Sequence, residues 1–339
     1  MSGKTRLYFI ASLLLILSAC SPASTPTTVA LTPVNVCYTA PTSTQSTAWY
    51  ALDKGLFKKY GLDVNLVQIL GGAKAIPALL SGDVSICQMT PNSVINAVAA
   101  GKDPVVIAGL YNTFPTVVLA TSGITNAEEL RGKTLGTSKS GSAAETASRL
   151  ALKYLGLEPG KDITLLEIGD EPERVAALKA GQVDAIMSSP PYLHALISQG
   201  YNVIFDFGKI GIPYSHTGVV TTRTFLAENR PVVVAFMKAM VEAAVQMKTD
   251  EEGTKEVLAK YTGTDLTADA ADLVDAYDNV IKPYLQESPY PSAEALQTLI
   301  DANAQSNPDA AGVTVDQIMD ASIIKELEDS GFIAGLKKP

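Results

Sequence analysis

Few residues in this chain could carry the chemistry of a metal or redox site. Only three cysteines and two histidines occur among 339 residues, and no CxxC motif or His/Cys cluster is present. His194 and His216 are not spaced as metal ligands with either Cys37 or Cys87, so no metal site is predicted. The Gly-Lys-Thr triplet around Lys133 lacks the earlier glycine of a P-loop, so no nucleotide site and no cofactor are predicted.

Charge is sparse as well, with 18% of residues charged and a formal net charge of −9 at pH 7. A protein this acidic repels nucleic acid and anionic membrane surfaces, so neither is an expected partner. A single hydrophobic core stops growing near 250–300 residues, so the length of 339 residues indicates two cores.

Apolar runs long enough to span a bilayer, about 20 residues, are missing. The one prominent run, residues 7–17, follows Lys4 and Arg6 and ends in Leu-Ser-Ala before Cys20. This order resembles the signal peptide and lipobox of bacterial lipoproteins. It predicts residues 1–19 as a signal peptide and Cys20 as the lipid-bearing (palmitate) residue, which anchors the protein to the outer side of the cell membrane. A plain secretory signal with a chance cysteine is the alternative.

Residues 20–33 are rich in Ser, Thr and Pro and cannot build a core. Such a composition is typical of a flexible or polyproline-like tether. At about 3.1 Å per residue, it could hold the folded body up to roughly 40 Å from the membrane.

Cys37 and Cys87 both lie in apolar, strand-like runs. Two buried free thiols are the expected state. A disulfide requires their Cα atoms to lie within about 7 Å, a distance that the sequence does not provide.

From Val34 onward, apolar strand patterns alternate with amphipathic helices, which is typical of parallel βαβ units. The alternation runs to residue 114 and then restarts. The two halves contain similar segments, residues 78–84 and 177–183, in which a helix end, a Gly and a strand start follow one another. Gly82 and Gly181 are predicted to adopt the left-handed conformation after their helices. The repetition indicates two similar α/β lobes.

Two extended segments connect the predicted lobes. Residues 109–123 leave the first lobe, and residues 217–222 return to it. The sequence after this return reads as helical. The prediction is a first lobe of residues 34–114 plus 217–339, including a helical tail, and a second lobe of residues 115–216. The two crossings form a hinge, and function is expected in the gap that they span.

Three local motifs resemble the solute-binding family that includes sulfonate, taurine, nitrate and thiamine-precursor binding proteins. Residues 51–64 (ALDKGLFKKYGLDV) resemble its A-x-x-K-G-x-F-x-x-x-G-L-x-V signature. Residues 130–136 (LRGKTLG) resemble its L-x-G-K-x-V-G segment, with Leu135 in place of Val. Residues 177–186 (ALKAGQVDAI) resemble its A-L-x-x-G-x-V-D-A step.

The resemblance implies a type II periplasmic binding fold whose doubly wound α/β lobes close over one small solute. It further implies a monomeric component of an ABC importer, which delivers solute to a membrane permease with a cytoplasmic ATPase. A lipoprotein that senses a solute and signals to a membrane partner is an alternative. An enzyme similar to the thiamine-pyrimidine synthase of fungi is a weaker one, because the cysteine-rich motif of that enzyme has no counterpart here.

Ligands of open parallel sheets bind beyond the carboxyl ends of the strands. That rule and the crossings select hydroxyl, amide, glycine and aromatic residues. The predicted ligand-binding residues are Ser43, Thr44, Gln45, Gly72, Thr90, Asn92, Tyr111, Asn112, Ser140, Gly141, Ser142, Ser189, Tyr192 and Tyr214. Ser140, Gly141 and Ser142 open a helix, whose free N–H groups suit an anion or a carbonyl oxygen. No catalytic residue is predicted.

The candidate loops contain no arginine and one lysine, Lys139. A strongly anionic solute would therefore depend on N–H groups and hydroxyls. Acidic residues, among them Glu145, Asp170 and Glu171, could instead favour an amine. The predicted ligand is a small polar organic solute, pyrimidine-like or sulfonate-like, with tyrosines such as Tyr111 lining the cleft.

Overall fold

The structure, a computed structural model, describes residues 30–190, 192–305 and 307–337. The predicted signal peptide and Cys20 lie outside these residues, as does most of the predicted tether. Its last residues are described, and Thr32 and Pro33 already belong to the first strand.

In the described residues, ten strands form two five-stranded sheets. The strands are β1 (Thr32–Tyr38), β2 (Leu62–Gln68), β3 (Ile86–Met89), β4 (Pro104–Thr113), β5 (Val117–Ala120), β6 (Thr134–Thr137), β7 (Thr164–Glu167), β8 (Ala185–Ser188), β9 (Asn202–Asp206) and β10 (Pro213–Thr222). The first sheet has the order β2-β1-β3-β10-β4, and the second has the order β7-β6-β8-β5-β9. The predicted fold class, two α/β lobes of the periplasmic binding type, is confirmed.

Each sheet contains one strand that runs against its neighbours. In the first sheet, β10 pairs antiparallel with both β3 and β4. In the second sheet, β5 pairs antiparallel with both β8 and β9. These are the strands that enter each sheet after a crossing, while β1 with β2 and β3, and β6 with β7 and β8, form the parallel pairs that the sequence predicted. The return strand also begins at Pro213, before the predicted limit at residue 217.

Helices follow most strands of the two sheets. They are α1 (Ser46–Asp53), α2 (Leu56–Lys59), α3 (Gly72–Ser81), α4 (Asn92–Ala99), α5 (Ala143–Tyr154), α6 (Glu171–Lys179), α7 (Tyr192–Ser198) and α8 (Phe207–Ile210), with 3₁₀ turns at Ser43–Gln45 and Glu128–Leu130. Gly82 and Gly181, at the ends of α3 and α6, have φ of 83° and 69°, as the sequence predicted. A side chain at either position would be strained, so these glycines let the chain turn from helix to strand.

The chain after the return strand is helical, as expected. It contains α9 (Arg223–Glu228), α10 (Arg230–Met247), α11 (Glu251–Thr262), α12 (Ala270–Ala276), a π-helical turn (Tyr277–Ile281), α13 (Lys282–Tyr284), α14 (Ala293–Asn303), a 3₁₀ turn (Pro308–Gly312), α15 (Val315–Ile318), α16 (Ser322–Asp329) and α17 (Phe332–Leu336). Helix α10 packs on α1 and α2 of the first lobe, while α12 contacts α7 of the second. Among the described residues, no helix is both long and apolar enough to cross a membrane.

Aromatic side chains fill the core of the first lobe. Trp49 stacks on Tyr261, with 5.0 Å between the ring centroids, and Phe57 stacks on Phe236 at 5.1 Å. The crossing between the lobes has its own aromatic cluster, in which Phe114 packs against rings from the segment that returns to the first lobe. These rings join the two lobes by direct apolar contact.

Cys37 and Cys87 form a disulfide, so the expectation of free thiols was wrong. The two residues are register partners in the adjacent parallel strands β1 and β3, and their Cα atoms lie 4.5 Å apart. Strand pairing, which the sequence did not reveal, produces this proximity across 50 positions of the chain. The disulfide lies in the middle of the first sheet and is fully buried.

Candidate functional site

A cleft of about 150 Å³ opens where the carboxyl ends of strands from both sheets meet. Its lining comes from Thr39, Ala40, Pro41, Thr42, Thr44, Gln45, Gly71, Gly72, Thr90, Asn92, Phe114, Thr116, Ser138, Ser142, Ala143, Ala144, Asp170, Glu171, Pro172, Arg174, Met187, Ser189, Tyr192 and His216. Loops that follow strands of both sheets contribute to this lining, as the strand-end rule predicts. An apolar protein cavity of similar volume, about 150 Å³, binds benzene, so the space fits a compact solute.

Several predicted residues line this cleft. They are Thr44, Gln45, Gly72, Thr90, Asn92, Ser142, Ser189 and Tyr192. Each follows the carboxyl end of a strand, and loops of that kind converge at one edge of an open sheet. Whether these residues contact a ligand remains a prediction.

Three predicted residues of the hinge segments do not line the cleft. Tyr111 is fully buried in the core of the first lobe. Asn112 donates from Nδ2 to the carbonyl oxygen of Tyr290 at 3.0 Å. Tyr214 is also fully buried, and its ring lies 4.6 Å from that of Phe114. Side chains of a strand point alternately to its two faces. His216 on β10 and Phe114 after β4 do line the cleft, so a hinge position alone does not decide whether a side chain reaches it.

Three other predicted residues lie beside the cleft without lining it. Ser43 is fully buried, and its hydroxyl donates to the carbonyl oxygen of Pro190 at 3.1 Å. Ser140 is exposed, and the carbonyl oxygen of Gly141 accepts from Nδ2 of Asn92 at 2.6 Å. The bonds of Ser43 and Asn92 join the first lobe to the second, so the two lobes are in direct contact around the cleft.

Neutral hydrogen bonds hold the first-lobe side of the cleft. Gln88 donates from Nε2 to the carbonyl oxygen of Thr44 at 3.1 Å and accepts from the amide of Ala48 at 3.2 Å. Gln45 accepts from the amide of Thr39 at 3.4 Å. These buried amides tie the loop after β1 to the neighbouring strand and helix, so the hydroxyls on that loop are held in position.

The amino end of α5 faces the cleft from the second lobe. Ser142 caps this helix, and its hydroxyl accepts from the amide of Glu145 at 3.2 Å. Ala143 and Ala144, in the first turn, line the cleft beside it. The positive end of a helix favours negative charge, so this wall suits an anionic or carbonyl group.

Arg174, on α6, lines the cleft although the sequence analysis assigned no arginine to it. Its side chain is buried and only 5% exposed. Nη1 donates to Ser138 Oγ and to the carbonyl oxygen of Gly169, each at 2.8 Å, and Nη2 donates to that of Met187 at 3.5 Å. Within the described part of the chain, its Nε has no hydrogen-bond partner and its guanidinium forms no ion pair. Burial lowers the pKa of Arg174, although the nearby Glu171 charge opposes this shift.

Glu171 contributes a carboxylate one helical turn before Arg174. Its Oε1 accepts from the amide of Ser189 at 2.6 Å and the hydroxyl of Ser188 at 3.1 Å, and its Oε2 accepts from Ser189 Oγ at 2.9 Å. Burial raises the pKa of this carboxyl, against the opposing effects of Arg174 and Ser189. Burial, followed by the charge of Glu171, raises the pKa of the neighbouring Tyr192 to about 12. The charged form of Glu171 is therefore poorly solvated in this structure.

His216, on β10, also lines the cleft. Burial lowers its pKa to about 3, so the imidazole is neutral near pH 7. Its Nε2 lies 3.3 Å from Thr44 Oγ1, and its ring centroid lies 4.6 Å from that of Phe114. In the described residues its Nδ1 has no hydrogen-bond partner, so the ring offers a neutral polar edge.

A pattern in the sequence could have predicted that charged residues at the start of α6 line the cleft. Asp170 caps α6 shortly after the end of β7, and Glu171 and Arg174 lie at the amino end of that helix, at the carboxyl edge of the second sheet. Residues three apart on a helix share one face. Restricting the search to loops excluded Arg174, because it lay inside a predicted helix.

A protein family and several known proteins resemble this chain in sequence. The family model described as NMT1/THI5 like matches residues 43–253. YtlA of Bacillus subtilis, provisionally named as a binding protein, is 26% identical over 86% of this chain and 88% of its own length. The taurine-binding periplasmic protein of Escherichia coli is 31% identical over 62% of this chain and 65% of its own.

Solved structures share the fold. The periplasmic aliphatic sulphonate binding protein SsuA of Escherichia coli has a TM-score of 0.68 and 21% identity, covering 84% of this chain and 91% of that one. The desulfurization enzyme DSZB also has the fold, with a TM-score of 0.62 and 14% identity over 88% of this chain and 99% of its own. The fold therefore occurs in binding proteins and in an enzyme. Because the fold alone does not decide between these functions, the inference of function depends on the residues of the site.

Proposed function

The chain belongs to the NMT1/THI5-like family, and we propose that it is the solute-binding component of an ABC importer that works outside the cytoplasm. In this role it captures a small polar organic solute between its lobes and presents it to a membrane permease with a cytoplasmic ATPase. The cleft carries the proposal, because its lining draws polar side chains from both lobes around a volume that suits one compact solute.

Contacts between the lobes support capture by closure. The bonds from Ser43 to Pro190 and from Asn92 to Gly141 join the two lobes beside the cleft at two separate places. A solute that contacts both lobes adds to these bonds and favours the closed population. Closure is then the property that a permease recognises.

The buried disulfide between Cys37 and Cys87 supports an extracytoplasmic location, since disulfides persist in oxidising compartments. It also removes both thiols from the pool of possible nucleophiles. We infer that the protein binds its solute without converting it, that it acts as a monomer, and that Cys20 carries the lipid anchor. Lipid attachment is tested by mass spectrometry of the membrane-associated chain, where Cys20→Ala abolishes the acyl mass.

Two solute chemistries fit the cleft. The names of the taurine- and sulphonate-binding proteins favour a sulfonate-like solute, for which Arg174 and the amino end of α5 supply positive charge. The rings of Phe114, Tyr192 and His216 favour a flat, pyrimidine-like solute.

A thermal-shift screen tests capture. A specific solute at a hundred times its Kd stabilises the folded state by about 2.7 kcal/mol. Mass spectrometry of the released solute then separates binding from catalysis, because a binding protein returns it unchanged. A chemically altered solute would favour the enzyme, and a screen of small-molecule extracts that never shifts the melting temperature would contradict capture.

A further inference from the structure

Two groups of opposite charge, a buried arginine and a half-buried glutamate, line the cleft from one turn of α6. Arg174 is 5% exposed, and the carboxylate of Glu171 lies three residues before it. Neither group forms an ion pair within the described residues. Arg174 donates hydrogen bonds only to neutral groups, and Glu171 accepts hydrogen bonds only from neutral groups. The two charges are near enough to influence one another without being in contact.

This arrangement leaves unused binding capacity on both groups. Nε of Arg174 has no hydrogen-bond partner in the described chain. A carboxylate offers about four acceptor positions, and Glu171 uses three of them. Burying an ionised group is costly unless it is paired with an opposite charge. A ligand with matching charges would remove this cost at both positions.

A solute with a single anionic group is complementary to only some of the charged groups that line the cleft. Its anion could meet Arg174 and the amino end of α5, where Ser142 and Ala143 line the cleft. It would also lie beside the carboxylates of Glu171 and Asp170, which both line the cleft as well. Like charges at close range oppose binding, so the solute also needs a cationic group next to these two carboxylates.

We propose that the cleft selects a compact zwitterion, with its ammonium group on Glu171 and its anionic group on Arg174 and the amino end of α5. This inference rests on the proposed capture function and assigns the chemical class of the captured solute. Glu171 is then a specificity-determining residue, which distinguishes a zwitterion from a simple anion of the same shape.

The geometry limits the size of the zwitterion. Residues three apart on a helix have Cβ atoms about 5–6 Å apart, so the two charges of the solute must be separated by only a short linker. The cavity volume of about 150 Å³ imposes the same limit. The anionic group could be a sulfonate or a carboxylate, because Arg174 and helix N–H groups can bind either.

Isothermal titration of the full-length chain with matched small molecules tests the proposal. The probes are 2-aminoethanesulfonate, 3-aminopropanoate, ethanesulfonate, ethylammonium and a neutral aminopyrimidine. At least one of the two zwitterions should bind about 30-fold or more tightly than every other probe, since losing one partner of a buried charge pair has an effect of this size. Comparing the two zwitterions distinguishes a sulfonate source from a carboxylate source.

Two substitutions separate the charges. Glu171→Gln should weaken the preferred zwitterion by about 30-fold while leaving ethanesulfonate unchanged or bound more tightly, because only the ammonium loses its partner. Arg174→Gln should weaken both, and Arg174→Lys should recover part of the loss by restoring the charge. Glu167→Gln removes an exposed carboxylate from β7 of the same lobe and is the matched control, with no expected change in affinity.

The outcomes distinguish this inference from the capture function on which it rests. A neutral pyrimidine or ethanesulfonate that binds most tightly, or a zwitterion affinity that Glu171→Gln leaves intact, overturns the zwitterion class while capture stands. If no zwitterion binds but a small-molecule extract shifts the melting temperature, the class is again wrong and capture again stands. If neither the probes nor the extracts bind, both proposals are contradicted.

Discussion

The two sides of the cleft are built from different chemistry. The first lobe contributes hydroxyls, amides and glycines, Gln88 holds the loop after β1, and the disulfide links β1 to β3. The second lobe contributes the ionisable groups Asp170, Glu171 and Arg174 together with a helix amino end. Similar architecture therefore supplies a neutral, braced surface on one side and a buried, charged surface on the other.

This difference separates positioning from selection. Neutral groups that hydrogen-bond to one another cost little to bury and hold one geometry. Burying charged groups that hydrogen-bond only to neutral groups costs free energy. Such groups gain most when a ligand supplies the opposite charge. The first lobe should therefore govern stability and shape, while the second should govern which solute binds. The predictions below test this division.

Substitution of Tyr111 by Ala should have the largest effect on the first lobe. The side chain is fully buried in the core, so its removal should lower the free energy of unfolding by about 3–5 kcal/mol, as for other large core aromatics. Chemical denaturation measures this loss. Tyr111→Phe is the control: the hydroxyl has no partner among the described residues, so the change should stay within about 1 kcal/mol. A normal stability of Tyr111→Ala combined with weak binding would return this residue to the cleft.

Replacing both Cys37 and Cys87 with Ala should also destabilise the first lobe. The disulfide closes a long loop, and its loss should lower the free energy of unfolding by about 2–4 kcal/mol. Denaturation of the double variant, alongside the reduced wild type, measures the effect. The order of preference among solutes should not change, because the charged groups lie in the other lobe. A changed order of preference would contradict the division between the lobes.

The half-buried carboxyl of Glu171 should make stability depend on pH. Its folded pKa is raised by burial, so the native state holds this proton more tightly than the unfolded chain does. The free energy of unfolding of the wild type, relative to Glu171→Gln, should therefore fall as pH rises from the ordinary carboxyl range through the raised pKa. Denaturation midpoints of both proteins at several pH values measure this difference. Parallel pH profiles would show that Glu171 is solvated as well as an exposed carboxylate.

Ser43→Ala should have the smallest effect. It removes the hydrogen bond to the carbonyl oxygen of Pro190, which joins the lobes outside the cleft lining. Loss of about 1 kcal/mol from the closed state should weaken every solute by roughly fivefold and to a similar degree. Ser81→Ala, which removes an exposed hydroxyl bond within the first lobe, is the matched control. A loss confined to one solute would show that Ser43 contacts that solute directly.

Local patterns predicted the parts of the fold that depend on local forces. The alternation of strands and helices, the glycines that end α3 and α6, and the loops at the strand ends each follow from short-range geometry. The eight predicted residues that line the cleft come from those loops. The antiparallel crossing strands were missed, because pairing joins segments that are far apart in the chain.

The errors at the site have one physical origin. Tyr111 and Tyr214 are fully buried on the crossing strands, and the sequence of these strands gives no indication of which positions meet the cleft. Arg174 was missed because a helical position was taken to exclude contact with the solute. In each case the direction of the side chain, rather than the position of the backbone, decides the role.

The crossing segment at residues 109–123 illustrates the division between sequence and structure. The sequence alone determined that the chain crosses there between two α/β units, because the helix and strand patterns restart after it. Only the tertiary structure decided that the tyrosine of this crossing belongs to the core, that two distant cysteines meet, and that Glu171 and Arg174 face a shared cavity. Those outcomes depend on which faces are covered when the sheets and helices pack, and packing joins residues that no local pattern connects.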